Sequence, residues 1–155
     1  MAGTPAVVVC ERAGVVHLVH PYAAGPGAYG RAAAAALGVE PERLLKTLLA
    51  VLDGRLVCAV VPSSGSLDLK ALAAALSGKR AVMAEPAAAE RSTGYVVGGI
   101  SPLGQRTPLP TVVDETASLF DTVFVSAGRR GLSMELAPTD LVRLTGAVVW
   151  DLARP

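Results

Sequence analysis

Two apolar runs, Lys46 to Leu52 and Arg55 to Val61, meet at the dipeptide Asp53-Gly54. Asp and Gly both tolerate positive φ, so this pair between two β-type runs is a strong hairpin signal. The hairpin fixes a sheet near the middle of the chain, and the other elements must be arranged around it. Upstream, Thr4 and Pro5 open a helix that Gly14 closes. Val15 to His20 reads as a strand, Pro21 to Gly27 as a loop, Tyr29 to Leu37 as a helix stopped by Gly38, and Pro41 to Leu45 as a further helical turn. Downstream, Ser63 to Ser66 reads as a loop. Leu67 to Leu76 reads as a helix, with apolar residues at 69, 72, 73 and 76.

Short strands follow at Ala81–Met83, Thr111–Val113, Thr122–Ser126, Ser133–Leu136 and Ala147–Trp150. Helical pieces fall at Pro86–Arg91, Thr116–Phe120 and Pro138–Leu144, and a Gly/Pro-rich loop runs from Tyr95 to Pro110. Strands and helices mix without a strict βαβ alternation, which points to an α+β domain over a doubly wound sheet. A chain of 155 residues with no internal repeat and no long linker fits one domain spanning 1–155. Its 52% hydrophobic content suffices for a core built without disulfides or metals.

Charge narrows the function. Fourteen basic residues against thirteen acidic ones leave a net charge of +1. Proteins that grip nucleic acid by charge alone carry a clear basic excess. A chain like this one, if it handles RNA, touches a terminus or leaves the rest to a partner. Cys10 and Cys58 lack metal-ligand spacing and read as small buried hydrophobes. The start lacks the basic and apolar regions of a signal peptide, and no apolar run approaches the roughly 20 residues that span a bilayer. A cytoplasmic location with no membrane contact is expected.

The usual catalytic kits are missing: there is no G-x-S-x-G, H-E-x-x-H, Walker loop or C-x-x-C. His17 and His20 lie on opposite faces of a strand and cannot clamp one metal, although His20 borders a loop and could line a pocket. Lys46 stands at the mouth of an apolar strand. It either snorkels to the surface or meets an anion or carbonyl in a cleft, because burying an unpaired ammonium is costly. In Gly98-Gly99-Ile100-Ser101-Pro102, paired glycines let the backbone approach a ligand and present N–H groups to it; the alternative is a tight structural turn. Ser126-Ala127-Gly128-Arg129-Arg130-Gly131 ends a strand in a small-residue loop, where one arginine could face phosphate and the other solvent. Ser126 has no neighbouring histidine base, so a serine nucleophile is poorly supported.

Four segments together carry a resemblance. Lys46-Thr47-Leu48-Leu49, the block from Thr93 to Gln105, the segment Val125 to Leu132, and Glu135-Leu136-Ala137-Pro138-Thr139-Asp140-Leu141 are similar, in order and spacing, to the YbaK/prolyl-tRNA synthetase editing-domain family. The likeness runs from about Thr4 to Asp151. It implies an α+β editing domain with a mixed, barrel-like sheet flanked by helices. It also implies hydrolysis of the ester between a wrong amino acid and tRNA, with Cys-tRNA(Pro) as the substrate and no metal or organic cofactor. The partners implied are the acceptor end of aminoacyl-tRNA and prolyl-tRNA synthetase.

By that resemblance Lys46 is the essential lysine, contacting the terminal adenosine phosphate or the ester carbonyl, with Thr47 in support. Tyr22 and Tyr29 line the pocket. The loop Gly98, Gly99, Ile100, Ser101 and Pro102 holds the aminoacyl ester and offers N–H groups to the oxyanion. Ser126 and Ser133 close the pocket as polar neighbours. Of the two arginines in the Ser126–Gly131 loop, Arg129 is the substrate-binding candidate. In this branch the substrate's own thiol attacks its ester carbonyl, so no protein nucleophile is needed. Well-oriented intramolecular attack is worth roughly 7–11 kcal/mol. One departure is the loop Ala24-Gly25-Pro26, where relatives often carry His-Asp-Pro; rim or tRNA contacts made by those side chains are weakened here. Two other readings stay open: a deacylase for another small amino acid such as alanine on tRNA(Pro), and a non-catalytic module that binds tRNA ends or the synthetase.

Overall fold

The computed structural model describes residues 3–23 and 31–155, Arg31 by its backbone alone. Helix α1 (Pro5–Ala13) starts where the Thr4 hydroxyl accepts the Val7 N–H, and it ends at Gly14 in a left-handed conformation. Its inner side sets Ala6, Val7 and Cys10 into the core. Strand β1 (His17–Pro21) and helix α2 (Arg31–Leu37) follow. The segment read as a helical turn at Pro41–Leu45 is a plain turn that enters strand β2 (Leu45–Leu52). Asp53 and Gly54, both at positive φ (49° and 85°), turn the chain into β3 (Arg55–Pro62). The hairpin pairs in register from Leu45↔Pro62 to Leu52↔Arg55.

The order continues with β4 (Ser66–Leu67), α3 (Leu69–Ala75), β5 (Ala81–Met83), α4 (Pro86–Thr93) and β6 (Thr111–Asp114). A 3₁₀ turn at Glu115–Leu119 leads to β7 (Val123–Arg129), β8 (Leu132–Leu136), α5 (Pro138–Thr145), β9 (Val148–Trp150) and β10 (Ala153–Arg154). Five strands form a mixed sheet in the order β5-β2-β3-β6-β9, and three form an antiparallel sheet in the order β1-β8-β7. The small β10–β4 pair has no counterpart in the sequence reading, which took Ser63 to Ser66 as loop.

The two larger sheets sandwich one core, in which Leu49 and Val60 meet Val125, Met134 and Leu136. The outer face of the five-stranded sheet buries a second core, where Ala50, Val61 and Val112 meet Leu72 of α3 and Leu152. Between the sheets a parallel bridge joins Leu44 to Phe124. The assembly is therefore α+β, but its sheets do not close into a barrel: among the described residues the Leu44–Phe124 bridge is the only strand pairing between β2's edge and β7. No described helix is long and apolar enough to cross a membrane.

Candidate active site

The site grows out of that edge. In the β2–β3 ladder the Leu44 carbonyl accepts the Ser63 N–H (2.8 Å), so the main chain of the even-numbered residues of β2 points at β3. The odd-numbered residues point the other way. At Leu49 and Asp53 that outward edge is occupied, by the Ala84 N–H (3.0 Å) and the Arg80 carbonyl (3.0 Å). Between the Leu44 bridge and Leu49 no described strand pairs with it, and by the same alternation the main-chain N–H and C=O of Thr47 lie on this unpaired edge. A cavity of about 650 Å³ lies there, with every residue from Leu44 to Leu49 along one wall. A strand alternates its side chains between faces. Lys46 and Thr47 can share the cavity because it wraps around the strand's edge.

The far walls are Tyr22, Ala84, Pro86 and Ala89, then Val97, Gly98 and Ile100, then Ser126, Leu132 and Ser133. Among the described lining residues Lys46 is the only cation, and no carboxylate is present. An ammonium in this wall is of the kind that meets an anion, whether a phosphate or a developing oxyanion. Polar groups sit among apolar walls, as in small-molecule sites generally. The Ser133 hydroxyl donates to the Val125 carbonyl (3.2 Å), and the Ser126 hydroxyl accepts the Gly128 N–H (3.1 Å). The Thr47 hydroxyl is buried and has no hydrogen-bond partner among the described residues. A buried orphan hydroxyl costs about 1–3 kcal/mol unless a ligand satisfies it.

The glycine loop is held from both ends. The Tyr95 hydroxyl donates to the Leu103 carbonyl (2.7 Å), and burial pushes its pKa up to about 12. The Gly99 N–H closes a turn on the Val96 carbonyl (2.8 Å). Gly98 has φ +91°, open to glycine at little cost. At Gly99 a Cβ would come within 2.7 Å of the Arg129 Cα, so only glycine lets this loop lie on the β7–β8 turn. Two separate sequence motifs are thereby pressed into one wall.

The structure brings Tyr22, Lys46, Thr47, Gly98, Ile100, Ser126 and Ser133 together around the cavity. Gly99 stands one layer behind, against Arg129. Ser101 is fully buried within the loop, where its hydroxyl accepts the Leu103 N–H (3.2 Å) and its carbonyl takes the Gln105 side chain (3.0 Å); Pro102 is buried beside it. Arg129 is exposed on the turn, outside the lining. Tyr29 and the Ala24-Gly25-Pro26 loop lie outside the described residues.

His20 is absent from the lining. Its ring bonds Glu135 (2.9 Å), whose other oxygen takes Arg43 (3.1 Å), while the Arg43 guanidinium also lies over Phe124. The Thr122 hydroxyl first, then His20 and Arg43, hold the Glu135 carboxyl below its ordinary range. No group of three or more His, Cys, Asp or Glu suited to a metal occurs among the described residues. Cys10 and Cys58 are fully buried, and burial pushes the Cys58 thiol up to about 11. The β5–α4 wall, with Met83, Ala84 and Pro86, carried no signal of its own in the sequence, since small apolar residues ahead of a helix look the same anywhere.

Known proteins place this geometry. The model of the aminoacyl-tRNA editing domain matches residues 26–144. An Enterococcus faecalis protein, EbsC, provisionally named a Cys-tRNA(Pro)/Cys-tRNA(Cys) deacylase, is 42% identical over 113 residues, 72% of this chain and 69% of its own. The Escherichia coli multifunctional Ser/Thr-tRNA deacylase ProXp-y is 33% identical over 89 residues, 57% of this chain and 53% of its own. A crystal structure provisionally described as a trans-editing enzyme for prolyl-tRNA synthetase superposes with a TM-score of 0.84 at 26% identity. It covers 100% of this chain and 99% of that one.

Proposed function

The chain belongs to the aminoacyl-tRNA editing-domain family, and from that membership we propose that it is a trans-editing deacylase that hydrolyses mischarged Cys-tRNA(Pro). The observation that carries the reading is the cavity on the open edge of β2. It joins one ammonium, a glycine loop and four small hydroxyl side chains, with no carboxylate among the described lining residues. The whole chain, 1–155, acts as one such unit. Working in trans beside prolyl-tRNA synthetase in the cytoplasm suits a protein with a net charge of +1, since the synthetase supplies the wider grip on tRNA.

In this reading Lys46 holds the phosphate or ester carbonyl of the terminal adenosine. Gly98 presents its N–H to the oxyanion, with Gly99, Ser101 and Pro102 shaping the loop behind it. Tyr22 and Tyr29 flank the adenosine, Ile100 packs on the aminoacyl group, and Arg129 reaches the acceptor-stem phosphates from the rim. Thr47, Ser126 and Ser133 receive the polar end of a small side chain. The substrate thiol attacks its own ester carbonyl, forming a C–S bond and an oxyanion. Collapse breaks the bond to the ribose, whose 3′-oxygen takes up the thiol's proton, and the amino acid leaves as a cyclic thioester for water to open. The protein folds the aminoacyl group and stabilises charge, an orientation effect.

A panel of Cys-, Ser-, Thr- and Ala-charged tRNA tests this. Release of cysteine from Cys-tRNA(Pro) well above the other rates is expected. Release of alanine or serine without cysteine rejects the thiol route, and inactivity on all four leaves a binding module.

A further inference from the structure

We propose that Arg130 is a positioning residue for this hydrolysis: by holding the Val97 carbonyl it turns the Gly98 N–H toward the cavity. The inference rests on the deacylase reading for its consequence and on geometry for its cause. Both Nε and Nη2 of Arg130 donate to the Val97 carbonyl, at 3.0 and 2.8 Å, across 33 residues of sequence. On the other side of the same residue, the Val97 N–H donates to the Glu90 carboxylate (2.8 Å). Val97 is thus gripped at both of its peptide groups by charged side chains, and charge-assisted bonds are about twice as strong as neutral ones.

The Val97 carbonyl and the Gly98 N–H belong to one planar peptide, and the described chain has no cis bond. In a trans peptide these two groups point in opposite directions. Arg130 is exposed and outside the cavity lining, whereas Gly98 lines it. Fixing the carbonyl on Arg130 therefore fixes the N–H on the side away from Arg130. The fixing matters because a peptide ending in glycine can rotate as a unit at low cost, since glycine accepts either sign of φ. The reversed peptide would present a carbonyl oxygen where an oxyanion must form. Arg130 selects between the two orientations without touching the substrate. Its anchor is firm, because the Arg129–Arg130 main chain is packed on Gly99.

The test uses Arg130→Ala and Arg130→Lys in the full chain, with Cys-tRNA(Pro) as substrate and the Gly98 amide followed by ¹H–¹⁵N NMR. Both variants melt like the parent, because the side chain is exposed. For Arg130→Ala, kcat falls about tenfold to a hundredfold, KM stays within about twofold, and the salt dependence of KM is unchanged. Arg130→Lys, which keeps one donor, recovers part of kcat. The Gly98 amide signal shifts or broadens in Arg130→Ala while that of Cys58 stays in place. An unchanged kcat, or a loss confined to KM that weakens at high salt, overturns the proposal and makes Arg130 a phosphate contact. If the parent protein hydrolyses no aminoacyl-tRNA, the deacylase reading fails on its own. In that event an unmoved Gly98 amide in Arg130→Ala still refutes the clamp.

Discussion

The two ends of strand β2 are built differently. From Ala50 to Leu52 it is paired on both edges, with β3 and β5, and the Ala50 and Leu52 side chains enter the outer core. From Leu45 to Leu48 it is paired, among the described strands, with β3 alone, and these residues line the cavity. Two buried polar groups on the same sheet show the same contrast. Asp114, at the end of β6, is 1% exposed and fully engaged: it accepts the N–H groups of Leu152 (2.8 Å), Ala153 (2.8 Å) and Thr116 (3.1 Å), and the Thr116 hydroxyl. The Thr47 hydroxyl is buried with no partner among the described residues. The closed part of the sheet satisfies its polar groups internally and is scaffold. The open part leaves one such group, the Thr47 hydroxyl, without a partner among the described residues, at some cost in stability.

Lys46→Ala breaks the open end most severely. Turnover of Cys-tRNA(Pro) falls about a hundredfold to a thousandfold, and the melting temperature moves little, because the ammonium faces a cavity and not a core. Asp114→Asn does the reverse at the closed end. It weakens several charge-assisted bonds and lowers stability by about 2–3 kcal/mol in urea unfolding, while turnover per folded molecule is kept.

Burial alone would raise the Asp114 pKa. The Thr116 hydroxyl and the N–H groups of Leu152, Ala153 and Thr116 outweigh it, and the net value lies below the ordinary 3.8. A lowered carboxyl pKa contributes stability that is present above the unfolded value and is lost as pH falls through the folded one. Acid unfolding below about pH 4 should therefore be shallower in Asp114→Asn than in the parent.

Thr47→Val sharpens the comparison with an opposite sign. Removing an orphan hydroxyl raises stability by about 1 kcal/mol and lowers kcat/KM several-fold; a loss of stability would show that the hydroxyl already has a partner. The smallest effect is expected at Cys58→Ser, where turnover stays within about twofold of the parent. That thiol is packed in the inner core and held neutral by burial, so it takes no part in the chemistry. Abolished turnover in a folded Cys58→Ser protein would contradict this.

Much of the closed end was legible in the sequence, because it is encoded locally. Asp53-Gly54 specifies its turn, Thr4 and Gly14 bound α1, and the apolar runs announce buried strands. The open end was legible only in part. Lys46 in an apolar run and the paired glycines are local anomalies that draw attention. That Lys46 and Gly98 face one cavity, with Gly99 behind them, depends on contacts between Gly99 and Arg129, and between Val97 and Arg130, which no local pattern encodes. For the same reason His20 was open to a pocket role until Glu135, 115 residues away, accounted for it. The β4–β10 pair is two residues long in each strand, too short to produce a period. Asp114 caps the turn at Glu115, and nothing near it in the sequence reports that it also gathers the N–H groups of Leu152 and Ala153.

The central claim is that the open edge of β2 is where the aminoacyl end of tRNA is held. An NMR titration with adenosine carrying a non-hydrolysable 3′-cysteinylamide tests it most directly. The account predicts shifts concentrated at the amides of Lys46, Thr47, Gly98, Ser126 and Ser133, with Val57 and Val112 unmoved. Saturable shifts elsewhere, with the Thr47 and Gly98 amides unperturbed, would contradict it.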